Sequence, residues 1–92
     1  MMKLRVRLIV EGKVQGVWFR DSARKKAVEL GVNGWIKNNY DGSVEAVIEG
    51  EEHKVREMIA WCHEGPPAAN VTKVTKTEED QMEGFSSFSI YS

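Results

Sequence analysis

The hydrophobic period of this chain switches from two to 3.6 and does so twice, which constrains the fold more than any other feature. Leu4, Val6, Leu8 and Val10 alternate with Lys3, Arg5, Arg7 and Glu11, predicting a strand with one buried face. The spacing then becomes helical: Phe19, Ala23, Ala27 and Leu30 recur, with Arg24, Lys25, Lys26 and Glu29 between them. Gly31 supplies a stop, so a helix over residues 19–30 is expected.

The second cycle starts at "VNGWIKNNYDGSVEAVIEG", which reads as a hairpin. Asp41-Gly42 marks the turn, with Trp35 and Ile36 before it and Val44, Ala46 and Ile48 after it. Glu51 and Glu52 suit the positive first turn of a second helix. Val55, Met58, Ile59 and Cys62 form its apolar stripe, and Gly65-Pro66-Pro67 ends it. Val71 to Thr77 alternates with a Thr-rich face and suits a strand, Glu78 to Gly84 reads as a polar loop, and Phe85 to Tyr91 as a last short strand. The order is β-α-β-β-α-β plus a terminal strand. That predicts an α+β, ferredoxin-like sandwich, with two helices on one face of an antiparallel sheet.

Ninety-two residues, 41% hydrophobic and 29% charged, suit one soluble globular domain over residues 1–92. Thirteen basic and fourteen acidic side chains nearly cancel, which argues against nucleic acid or an anionic membrane as partner. No apolar run approaches the ~20 residues of a membrane span. Lys3, Arg5 and Arg7 interrupt the apolar N-terminal stretch, so it does not read as a signal-peptide core. The one cysteine, Cys62, cannot close an intrachain disulfide. A reducing cytoplasm and a monomer are the expectations.

Between the first strand and the first helix lies "GKVQGVWFR", residues 12–20. A helix N-terminus offers unpartnered N–H groups and the positive end of the dipole. Gly12 and Gly16 allow the backbone to curl so that successive N–H groups converge, an anion nest. Arg20 adds a planar guanidinium able to hold two oxygens of a phosphate or carboxylate. A phosphate is the natural guest. The same residues also fit a tight connection followed by a solvated arginine. The segment lacks the Gly-Lys-Ser/Thr ending of a P-loop and the three-glycine spacing of a dinucleotide fingerprint.

"GKVQGVWFR" resembles the Gly-x-Val-Gln-Gly-Val-x-Phe/Tyr-Arg signature of the acylphosphatases, with every fixed position filled. "GWIKNNYDGSVEAVIEG" is similar to the second motif of that family, and "GPPAANV" supplies a third likeness. The match spans nearly the whole chain in the expected order. Ile36 departs from it, standing where the family usually has a smaller apolar residue, which bears on packing and not on chemistry.

The resemblance implies hydrolysis of the carboxyl–phosphate bond of acyl phosphates, with inorganic phosphate as product and inhibitor. It implies that Arg20 and the loop N–H groups of Gln15, Gly16, Val17, Trp18, Phe19 and Arg20 bind the phosphate. Asn38 would hold the attacking water. An amide orients water but cannot deprotonate it, so the proton acceptor stays open. Asn39 is chemically equivalent in isolation, and the family motif places the functional asparagine at 38. No cofactor and no metal are expected: a carboxylate leaves without a strong acid, and phosphoryl transfer needs mainly positioning and charge stabilisation.

The remaining polar and aromatic residues read as structural. His53 and His63 lack metal-ligand company, Cys62 lies on an apolar stripe, and Trp35 and Trp61 suit packing. Trp18, at the variable position of the loop motif, fits either the mouth of the site or packing. Glu51, Glu52 and Glu78-Glu79-Asp80 read as solvated. The rival class is an RNA-recognition module, because "EGFSSFSIY" has a passing likeness to its aromatic strand. That motif belongs between the two helices, whereas Phe85 and Phe88 lie near the C-terminus. A non-catalytic domain that keeps the anion loop is the other alternative, and the presence of both Arg20 and Asn38 weighs against it.

Overall fold

The structure of the protein, a computed structural model, describes residues 2–91. Its elements run β1 (Lys3–Lys13), α1 (Phe19–Leu30), β2 (Asn33–Asn38), β3 (Val44–Glu51), α2 (Glu52–Glu64), β4 (Asn70–Glu79) and β5 (Phe88–Ile90). The strands form one sheet in the order β4-β1-β3-β2-β5. β1 pairs antiparallel with β3 and with β4, and β2 antiparallel with β3. The two βαβ halves thus interleave, with β3 inserted between β1 and β2.

Alternation decides which face meets the helices. Val6, Leu8 and Val10 of β1, Ile36 of β2 and Val44, Ala46 and Ile48 of β3 are buried. They form one core with Phe19, Ala23, Ala27 and Leu30 of α1 and Val55, Met58 and Cys62 of α2. Each buried Val, Leu, Ile, Met or Phe side chain among them contributes roughly 1.5–3 kcal/mol of transfer free energy. Trp61 leans on Phe19 with ring centroids 5.4 Å apart, which joins the two helices. Ile36 is fully enclosed. At the end of α1, Gly31 is left-handed (φ 76°) and donates its N–H to the Ala27 and Val28 carbonyls.

The face away from the helices is polar but closed. Arg5 and Glu49 are buried there, their atoms 3.2 Å apart. Glu79 accepts from Arg5 Nε at 2.6 Å and from Arg7 Nε at 3.1 Å, and Arg7 also pairs with Glu45. Glu49 further accepts the N–H groups of Glu83, Gly84 and Phe85 at 2.7, 3.0 and 3.1 Å. Burial pushes the Glu49 carboxyl up, but these N–H groups and the Arg5 guanidinium outweigh it and hold the carboxyl below its usual range. Hydrogen bonds from Arg5 and then Arg7 lower the Glu79 carboxyl likewise.

Three sequence expectations are corrected here. β4 continues through Glu78 and Glu79, and Glu79 is an ion-pair partner where a solvated residue is expected. The last strand holds only Phe88–Ile90, because Phe85 is drawn out of line by Glu49, with its ring 5.7 Å from the Arg5 guanidinium carbon. β5 also runs parallel to β2, so the sheet is mixed at that edge.

Candidate active site

Three apolar anchors fix the segment between β1 and α1. Val14, Val17 and Phe19 are all buried. Between them, Gly16 is left-handed (φ 73°), a conformation open to glycine at little cost. Trp18 is left-handed too (φ 66°, ψ 21°), which costs a non-glycine residue about 1–2 kcal/mol. Gly12 has a different task from the one the sequence suggests. It lies inside β1, where the pairing with β4 shifts register, and a Cβ there would collide with the Asn70 carbonyl.

The Gln15 side chain reaches away from the helix. Its Nε2 donates to the Asn39 carbonyl at 2.7 Å and to the Ser43 carbonyl at 2.9 Å, tying the loop to the β2–β3 turn. That turn closes on itself. Asn39 N–H donates to the Ser43 carbonyl at 2.8 Å, and Asn39 Nδ2 to Ser43 Oγ at 3.0 Å. Asp41 Oδ1 accepts from the Ser43 hydroxyl and then from its N–H, which hold the Asp41 carboxyl below the usual range.

Arg20 and Asn38 meet across a cleft of about 250 Å³ that Gly16, Trp18 and Phe19 also line. Arg20 Nη1 donates to the Tyr91 carbonyl at 3.3 Å, so the chain beyond β5 orients the guanidinium. Of the six loop residues named from the sequence, four line the cleft; the Gln15 side chain serves the turn and Val17 is buried. Asn38 ends β2. Among the described residues, its Oδ1 is the one buried side-chain polar atom without a hydrogen-bond partner. A buried acceptor left unpaired costs about 1–3 kcal/mol. The two adjacent asparagines therefore differ: the fold spends the Asn39 amide and leaves the Asn38 amide uncommitted.

Sequence reasoning missed Val14, Asp21 and Ile90 as cleft residues. Asp21 follows Arg20 in the first turn of α1 and was open to that reading. Ile90 arrives from the far edge of the sheet, which periodicity does not report. Among the described residues there is no group of three or more His, Cys, Asp or Glu able to hold a metal ion. Burial pushes the Cys62 thiol up to about 12. No described helix is long and apolar enough to cross a membrane.

A family model described as Acylphosphatase matches residues 6–90, which takes in every element of the sheet but the first residues of β1. The chain belongs to the acylphosphatase family. An acylphosphatase of Rubrobacter xylanophilus is 54% identical over 86 residues, covering 94% of this chain and 78% of that protein. The acylphosphatase of Bacillus subtilis superposes with a TM-score of 0.94 at 38% identity, covering 97% of this chain and 99% of that one. The one from Coxiella burnetii gives 0.91 at 43% identity, covering 97% and 93%. In this acylphosphatase-family chain the cleft joins a cationic fork, a helix N-terminus and a free amide. Such a set can hold an anion and orient a small polar molecule beside it.

Proposed function

We propose that this chain hydrolyses acyl phosphates to a carboxylate and inorganic phosphate, with attack at phosphorus. Arg20 and the N–H groups of the Gln15–Arg20 loop hold the phosphoryl oxygens and offset the charge that builds there. Asn38 orients the attacking water. The water oxygen bonds to phosphorus while the phosphorus–oxygen bond to the acyl group breaks, and the carboxylate leaves with that electron pair. The water's proton passes to a phosphoryl oxygen, since an amide has no useful basicity. Inorganic phosphate, the product, competes for the same donors.

One observation carries this reading. The Asn38 amide lines the same cleft as Arg20 with its Oδ1 unpaired, while the Gln15, Asn39, Asp41 and Ser43 side chains beside it are engaged in the hydrogen bonds of the turn. Membership of the acylphosphatase family supplies the substrate class. Asn38→Ala is expected to lose most turnover of acetyl phosphate or benzoyl phosphate while binding inorganic phosphate within about threefold of the parent. Hydrolysis in ¹⁸O water should place the label in phosphate. Label in the carboxylic acid would move the attack to the carbonyl carbon, and joint loss of binding and turnover would remove the role given to Asn38.

A further inference from the structure

We propose that Trp18 is a specificity-determining residue whose indole takes the acyl group, favouring acyl phosphates with an aromatic or bulky apolar acyl group over small ones. This rests on the acyl phosphate reading above and names the substrate class within it.

The Trp18 indole belongs neither to the core nor to an aromatic pair among the described residues. Trp18 is 74% exposed, whereas Trp61 packs on Phe19 and Trp35 stacks on Tyr91 at 5.6 Å and 19°. Its side chain makes no capping hydrogen bond to α1. Its backbone holds the left-handed conformation that glycine adopts freely. A large aromatic residue that adds strain and little burial is not explained by stability, and such strain collects at functional sites.

Its surroundings supply the function. Trp18 lines the cleft that contains Arg20 and Asn38. Val14, Phe19 and Ile90 line that same cleft, so it has an apolar part beside its anion-binding part. An acyl phosphate has the same two halves joined through one oxygen. With the phosphoryl group on Arg20 and the loop, the acyl group has to lie within a few ångströms, against the apolar lining and the rim. An aromatic acyl group gains offset stacking on the indole that an acetyl group cannot make.

The test compares Trp18→Gly with the parent on benzoyl phosphate and acetyl phosphate, and by calorimetry on phenylphosphonate and methylphosphonate. Trp18→Gly should lower the benzoyl-to-acetyl ratio of kcat/KM roughly three- to tenfold and the phenyl-to-methyl affinity ratio by a similar factor. Trp18→Phe should keep most of both preferences, and Trp18→Ser should lose them as the glycine variant does. The glycine variant should also hold or raise the melting temperature, because it relieves the left-handed strain. Ratios that stay within twofold in both the glycine and serine variants overturn the proposal, as does a lowered melting temperature with unchanged ratios. A parent chain that prefers phenylphosphonate yet hydrolyses neither acyl phosphate removes the hydrolytic reading and leaves Trp18 as the apolar contact.

Discussion

Two loops of this molecule combine an arginine with backbone N–H groups, and they use the combination differently. On the face away from the helices, residues 83–85 and Arg5 close on the Glu49 carboxylate. At the end of the sheet, the Gly16–Phe19 loop and Arg20 face a cleft, and the guanidinium donates to one carbonyl, that of Tyr91. The first cradle has an internal anion and is part of what holds the fold. In the second, no carboxylate among the described residues pairs with Arg20, although Asp21 lines the same cleft. The Glu49 cradle shows the donor set that a carboxylate commands when buried: three N–H groups and a guanidinium. A phosphoryl group, with more oxygens and more charge, needs at least as many.

The comparison breaks most sharply at Arg20. Arg20→Lys keeps the charge but loses the planar pair of donors, and kcat/KM on an acyl phosphate should fall about 10²- to 10³-fold with stability little changed. Near-normal kinetics in that variant would detach the cleft from catalysis. The matching change on the other side is Glu49→Gln. It leaves Arg5 buried with one partner fewer and should cost about 3 kcal/mol in urea unfolding. Because the folded Glu49 carboxyl titrates below its unfolded value, its contribution is present above about pH 4.3 and fades as pH falls through the folded value. The glutamine variant should therefore lose less stability than the parent between pH 5 and pH 3, roughly two units that bracket the unfolded value. The smallest effect belongs to the tie between loop and turn. Gln15→Leu fills the same space without donors, and kcat should drop about tenfold as Asn38 drifts from the anchored loop. Phosphate affinity should hold within threefold, because Val14, Val17 and Phe19 still pin the loop. Equal loss of both would make the Gln15 side chain, and not only its backbone N–H, part of the anion site.

How much of this was legible in the chain follows from how far each contact reaches. Both helices and the β2–β3 hairpin are written locally, in spacing and in stop residues, and they stand where the sequence puts them. The motifs single out Arg20 and Asn38, which the fold brings to one cleft, although periodicity alone could not rank Asn38 above Asn39. What separates them is the hydrogen bonding of Asn39 to Ser43 four residues on, a detail of turn geometry that alternation does not encode. Glu79 read as solvated because its partners Arg5 and Arg7 lie more than seventy positions away. The parallel direction of β5 leaves no trace in alternation, which is the same for either direction. The Gln15 tie was hidden for another reason: its acceptors are backbone carbonyls, and every residue has one.

The interleaved strand order has a kinetic consequence. β1 lies between β3 and β4, so its neighbours, such as Glu51 opposite Lys3 and Glu79 opposite Arg5, come from the middle and far end of the chain. Only the β2–β3 pair can zip from a nearby turn. Loop-closure entropy must be met before the other pairings return anything, which places the chain among slow folders, in the millisecond-to-second range. The hairpin that carries Asn38 can form early, while the cleft wall from Ile90 waits for β5 to dock on β2. An intermediate on this route can bury much of its core and still lack a finished cleft.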